Sequence, residues 1–203
     1  MKNAQLNPIT VLLFALLSVA PLNMGWANSI EDKVKEAIDD ASQALKNAVD
    51  KLGDDFDTIQ NYLDNYHWKG IIQDEATSGA VTLKNMHLNG HSKAVVVKPG
   101  ERIEGVVQCD LDREQCESFS FYRVVLGIKG KGAQTTIGNE LGIVAGKSEE
   151  KFVLIAPSES GLYQIRFRLV DALLKKNALE SWTDENGDEP DGTTTIGLVF
   201  VKS

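Results

Sequence analysis

Two hydrophobic periods divide the chain. Between Ser29 and Tyr66, apolar side chains fall at Ile30, Val34, Ile38, Ala41, Leu45, Ala48, Leu52, Phe56, Ile59, Leu63 and Tyr66, always three or four residues apart. That spacing lines one stripe of a helix. Ser29 followed by Asp32 makes a capping-box-like start, with Asp in place of the usual Glu. Leu52-Gly53-Asp54-Asp55 interrupts the stripe: Gly53 offers a C-terminal cap, and Asp54 or Asp55 the next N-cap. The pattern predicts an amphipathic helical arm over residues 28–68. A break near Gly53, giving helices near 30–52 and 55–66, is favoured over one continuous helix. The first half is thin and Ala-rich (Ala37, Ala41, Ala44, Ala48). Such a face suits self-association through residues 29–66, and equally suits packing on the chain's own β domain.

From about residue 70 the period shortens to two. Val81 and Leu83 precede Asn89-Gly90, a dipeptide that favours a two-residue hairpin turn because both positions need positive φ. Residues 93–98, 102–108, 119–129, 151–156, 162–170 and 193–202 read as further strands, about eight or nine in all with turn signals between them. Tyr163, Ile165, Phe167 and Leu169 alternate with Gln164, Arg166 and Arg168, so the first set is expected inward. Ile196, Leu198 and Phe200 are expected on one face of a central last strand. Within 171–182, Leu173, Leu174, Ala178, Leu179 and Trp182 recur at helical spacing and predict a short helix or covering loop.

These patterns define an α+β fold class, with the helical arm leading into a mainly antiparallel β-sandwich over residues 69–203, Greek-key in an immunoglobulin-like or jelly-roll-like manner. In Pro157-Ser-Glu-Ser-Gly161-Leu-Tyr163, a Tyr follows a Gly at a strand start. This resembles the tyrosine corner of immunoglobulin-like sandwiches, in which the hydroxyl ties an arch together. The resemblance concerns architecture alone.

The N-terminus changes the picture of where the protein acts. Met1-Lys2 leads into the apolar run Val11–Ala20, Pro21 ends it, and Gly25-Trp26-Ala27 supplies small residues before Asn28. These are the parts of a secretory signal peptide spanning residues 1–27, and they predict a periplasmic or extracellular protein. The run is short for a span of the roughly 30 Å bilayer core, and the chain from Asn28 is expected to have no membrane span. Net charge is −8, and residues 29–66 carry ten acids against four lysines. That balance argues against nucleic acid and against anionic lipid surfaces, since both would need clustered Lys and Arg. Cys109 and Cys116, with six residues between them, are expected to form a structural disulfide in an oxidising compartment.

Little in the chain names a reaction. Gly142-Ile-Val-Ala-Gly-Lys-Ser148 looks like a phosphate-binding loop but has three residues before its Gly-Lys pair, where the loop needs four. Strand-forming residues follow it, not a helix, and two glutamates sit beside it. His87 and His91 have a helical metal-ligand spacing, but Asn89-Gly90 between them predicts opposite faces of a ribbon. His67 reads as a junction residue. The strongest site candidate is the acidic loop 184–191, where Asp184, Asn186, Asp188 and Asp191 offer hard oxygen ligands suited to calcium. Its spacing is not that of an EF-hand. Trp182 beside it furnishes a stacking surface for a sugar. No catalytic residue and no cofactor other than calcium is indicated. The sequence thus points to an exported, non-enzymatic binding or scaffolding protein for a protein or glycan partner. The alternatives are a calcium- or carbohydrate-binding module using 184–191, and a hydrolase whose site the sequence hides.

Overall fold

A computed structural model describes residues 55–66, 74–116, 121–138, 146–183 and 194–203, with single positions at 36, 39, 40, 43, 44, 47, 51 and 72. The chain divides into two compact units, Met1–Glu36 and Ala37–Ser203, and the second holds both sheets and the helices that cover them. Residues 1–27, expected to be a signal peptide, His67 and the loop 184–191 lie outside the described residues. The fold is β-rich α+β. Its elements are α1 (Phe56–Asn65), β1 (Glu75–Ser78), β2 (Val81–Leu88), β3 (Ala94–Val97), β4 (Arg102–Leu111), a 3₁₀ turn (Arg113–Gln115), β5 (Tyr122–Ile128), β6 (Gly132–Ile137), β7 (Gly146–Ile155), β8 (Gly161–Asp171), α2 (Lys175–Glu180) and β9 (Thr194–Val201).

The strands form two sheets, one in the order β1-β2-β4-β7 and the other in the order β3-β9-β8-β5-β6. All neighbours are antiparallel except β3 and β9, which run parallel. Side chains from both sheets share one core. Leu83, Ile103, Val107 and Leu154 come from the first, and Val97, Val124, Leu126, Phe167 and Val199 from the second. The inward set expected for β8 meets this core: Ile165 and Phe167 are part of it, with Tyr163 and Leu169 packed against it.

The two helices cover the other face of the five-stranded sheet. Helix α1 starts where Asp55, in extended backbone, accepts the Asp57 amide and ends the helical conformation on its N-terminal side. The break expected near Gly53 lies outside the described residues. Residues 36, 39, 40, 43, 44, 47 and 51 are themselves helical. Ile59 and Leu63 of α1 are buried against Ala94, Val96, Leu198 and Phe200, so α1 packs on the five-stranded sheet. Helix α2 lies where the 171–182 pattern predicts a helix. Ala178 and the following Trp182 bury against Val125 and Val170. Gly127 is required there, because a Cβ would sit 2.8 Å from the Trp182 ring and 2.4 Å from the Gly132 carbonyl.

Two expectations change. Asn89 and Gly90 do form the two-residue turn, with φ of 49° and 81°. The His91 amide donates to the Leu88 carbonyl at 2.9 Å, and the Leu88 amide donates back at 3.1 Å. The ribbon stops after that one bridge, because β3 leaves for the other sheet and pairs with β9. Its four residues, Ala94 to Val97, are all buried, which only the sheet covered on both faces accommodates. In β9 the pairing shifts from Ile165↔Gly197 to Arg166↔Thr195, leaving Ile196 as an extra residue. That bulge reverses the pleat. Ile196 therefore joins Val199 and Val201 in the shared core, while Leu198 and Phe200 face α1.

The edges of the five-stranded and four-stranded sheets are tied by glutamine side chains. The buried Gln60 of α1 donates to the Ala94 carbonyl at 3.0 Å and accepts the Val96 amide at 2.9 Å. It substitutes for a neighbouring strand along the β3 edge. Gln134 of β6 does the same for β7, donating to the Ile155 carbonyl at 3.0 Å and accepting its amide at 2.7 Å.

Candidate functional site

A concavity among the described residues lies at one end of the four-stranded sheet. It is an open cleft of about 570 Å³ lined by Thr77, Gly79, Ala80, Thr82, Asp110, Leu111, Asp112, Gln115 and Gly146. Local chemistry builds it. Gly79, at φ 56°, turns β1 into β2, and Thr77 stands opposite Thr82 with their hydroxyls 3.0 Å apart. The Asp112 amide donates to the Ala80 carbonyl at 2.9 Å and fastens the end of β4 to that turn. The Asp112 carboxylate accepts the Glu114 amide at 2.9 Å and the Gln115 side-chain amide at 2.7 Å, which fixes the 3₁₀ turn. That carboxylate is thus committed to structure. Asp110 is held more loosely, by Lys147 at 3.9 Å.

The cleft therefore offers hydroxyls, one lightly paired carboxylate, a primary amide and backbone groups. These recognise polar ligands by hydrogen bonds. Its volume falls within the range of roughly 300–1,000 Å³ typical of ligand sites. Thr77 and Gln115 belong to no motif, and no signal in the sequence brings them together. Only the pairing of β1 with β2 and of β2 with β4 does so.

The residues singled out in the sequence are dispersed. Asp184, Asn186, Asp188 and Asp191 fall outside the described residues. Trp182 is 2% exposed; it belongs to the layer beneath α2, not to a solvent-facing platform. Its Nε1 has no hydrogen-bond partner among the described residues. His87 Nδ1 lies 3.1 Å from the His91 carbonyl, whereas His91 Nδ1 lies 3.1 Å from Asp64 of α1, so the two rings serve different partners. Lys147 and Ser148, the end of the phosphate-loop-like stretch, sit inside β7 opposite Asp110 and Cys109. A strand at that point gives no helix N-terminus for a phosphate.

The disulfide expected between Cys109 and Cys116 is corrected: both thiols are free. Cys109 points into the shared core and is 1% exposed. Cys116 follows the 3₁₀ turn, and its thiol donates to the Asp112 carbonyl at 3.2 Å. The Asp112 turn thus fixes Cys116 on a local partner. Burial, with Glu150 and Asp110 adding to it, pushes the Cys109 thiol up to about 12. Burial and the neighbouring Asp112 also raise Cys116. Both are poor nucleophiles at neutral pH, because the thiolate is the reactive form.

In comparisons with known proteins, no family model matches this chain and no curated protein matches it. The functional reading therefore rests on its own geometry.

Proposed function

We propose that this is an exported binding protein without enzymatic chemistry, built on a Greek-key sandwich of the immunoglobulin-like kind and taking a glycan or protein partner. Two features support the architecture. After the Asn89-Gly90 turn the chain changes sheets, β2 pairing in one and β3 in the other, parallel to the last strand. The Tyr163 hydroxyl donates to the Glu159 carbonyl at 2.9 Å, four residues back. That is the bond a tyrosine corner makes.

The observation that carries the functional reading is the open cleft. Its lining of Thr77, Thr82, Asp110 and Gln115 is suited to hydrogen-bonded recognition. Export rests on the signal-like segment 1–27. Two measurements test the proposal. Fractionation with N-terminal sequencing should yield a product beginning at Asn28; a cytoplasmic product retaining Met1 would remove export. Amide chemical-shift mapping of that product against neutral cell-envelope oligosaccharides and basic peptides should give shifts confined to 77–82 and 110–115. Shifts elsewhere, or none with either class, would remove the cleft as the binding site.

A further inference from the structure

Helix α1 is weak by its own sequence. Of its ten residues, Phe56 to Asn65, only Gln60 and Leu63 are good helix formers; the others are aromatic, β-branched, Asn or Asp. Asp64 sits in the last turn, where the negative end of the helix dipole disfavours an acid, and no basic residue accompanies it there. A helix this short is marginal in water by itself. It exists because it is docked. Ile59 and Leu63 are buried on the sheet, and Asp64 lies 3.1 Å from Nδ1 of His91, just after the Asn89-Gly90 turn. An element held in this way opens at lower free energy than the strands it covers.

What α1 covers is a sheet edge. On its inner side β3 serves β9: the Leu198 amide donates to the Lys93 carbonyl at 2.8 Å, and the Lys202 amide to the Val97 carbonyl at 2.9 Å. Residues 94, 96 and 98 turn their backbone groups to the outer side, and side chains take the place of a strand there. Gln60 holds the Ala94 carbonyl and the Val96 amide, and the Glu101 carboxylate accepts the Lys98 amide at 2.8 Å. With α1 displaced, Ala94 to Val97 becomes an uncharged, wholly apolar edge, the kind most ready to pair with another strand. The α1-facing cluster of Ala94, Val96, Leu198 and Phe200 is uncovered with it. This edge complements itself. In an antiparallel pair with Val96 opposite Val96, Val95 stands opposite Val97, the outward groups of the two Val96 residues meet, and no like charges face each other across 94–97. A second copy of this chain is therefore the partner that the edge fits.

We propose that α1 is a releasable strap over the β3 edge, and that its release lets two copies of this chain join their five-stranded sheets by antiparallel β3–β3 pairing. Two measurements test this. In native-state hydrogen exchange of the wild type, the Val96 amide and α1 amides such as that of Ile59 should exchange together, on the order of tenfold or more faster than the Leu198 and Lys202 amides. One common rate for all four would make α1 part of the global fold and overturn the strap. In sedimentation of the purified chain under reducing conditions, Ile59→Asp/Leu63→Asp should double in mass relative to the wild type. Adding Val96→Pro, which removes the outward N–H yet suits an edge strand, should abolish that gain. Trp182→Ala, which destabilises the same sheet beneath α2, should gain nothing. If the double Asp variant loses its strand circular dichroism, Gln60→Ala, which leaves the apolar contacts in place, carries the same test. A released variant without added mass, a gain that survives Val96→Pro, or an equal gain in Trp182→Ala overturns the β3 pairing.

Discussion

The two sheets solve different burial problems with the same strands. The four-stranded sheet buries one face. Along β4, Ile103, Gly105, Val107, Cys109 and Leu111 are buried while the residues between them are exposed or partly so. The five-stranded sheet is covered twice, by the shared core on one face and by α1, α2 and Trp182 on the other. Its strands β3, β5 and β9 are buried along nearly their whole length. Stability should therefore be more sensitive to the covering elements of the five-stranded sheet than to the open face of its partner.

Trp182→Ala should have the largest effect. It empties a fully packed site over Gly127, and a loss of about 3–5 kcal/mol is expected. Thermal unfolding should show a drop of roughly 10 °C, at about 2–4 °C per kcal/mol for a chain of this size. Val106→Ala, on the open face of the four-stranded sheet, should shift the midpoint by far less. Equal shifts would mean that the α2 layer contributes little and the contrast between the sheets is false.

Gln60→Leu comes next. It keeps the side-chain bulk but orphans the Val96 amide and the Ala94 carbonyl at a buried edge, at about 1–3 kcal/mol for each group. Gln134→Leu removes the same pair of bonds at Ile155, which is 50% exposed. Water can replace them there, so a loss of about 1 kcal/mol or less is expected. Denaturant midpoints of the two variants would measure how much burial multiplies one hydrogen-bond geometry. A larger loss for Gln134→Leu would reverse the reasoning.

Legibility in the sequence obeys the same division. Where one face is open, alternation is visible, and the strand of Ile103 and Val107 could be read directly. The 3.6-residue stripe likewise located α1, and the expected cap at Asp54 or Asp55 bracketed its start, which the structure places at Asp55. Where both faces are buried, the period vanishes. The bulge at Ile196 is invisible because Ile196, Leu198, Val199 and Phe200 are all apolar. Gln60 lies outside the apolar stripe, and its role exists only once the β3 edge is placed beside it. Trp182 read as a ligand platform, because nothing local to it announces the space over Gly127. The cleft was not legible at all, since Thr77, Thr82, Asp110 and Gln115 come from separate segments.

Tyr163→Phe probes the join between β7 and β8, which lie in different sheets. It deletes only the hydroxyl that donates to the Glu159 carbonyl. The bond is solvent-exposed, so a loss of about 1 kcal/mol is expected, with the ring's packing retained. A neutral result would mean that the 157–161 arch is held by its backbone alone.

The smallest effect concerns the cap of α1, the element that distinguishes the covered sheet. The Asp55 carboxylate accepts the Thr58 hydroxyl at 2.5 Å and the Asp57 amide at 3.2 Å. The Thr58 hydroxyl bond is the main cause holding its pKa below the usual carboxylate value; desolvation opposes it, and the backbone amides of Asp57 and Thr58 add to the lowering. A depressed pKa in the folded state means that folding favours the ionised form. The contribution is complete above the unfolded value near 3.9 and fades as pH falls through the lower folded value. Asp55→Asn keeps an N-cap acceptor but cannot titrate. The melting-temperature gap between wild type and variant should therefore be constant at neutral and mildly acidic pH and narrow below about pH 4. A gap that persists unchanged through that range would show that the charge at the cap does not help hold α1 in place, and that Ile59, Leu63 and Gln60 alone keep the helix on the sheet.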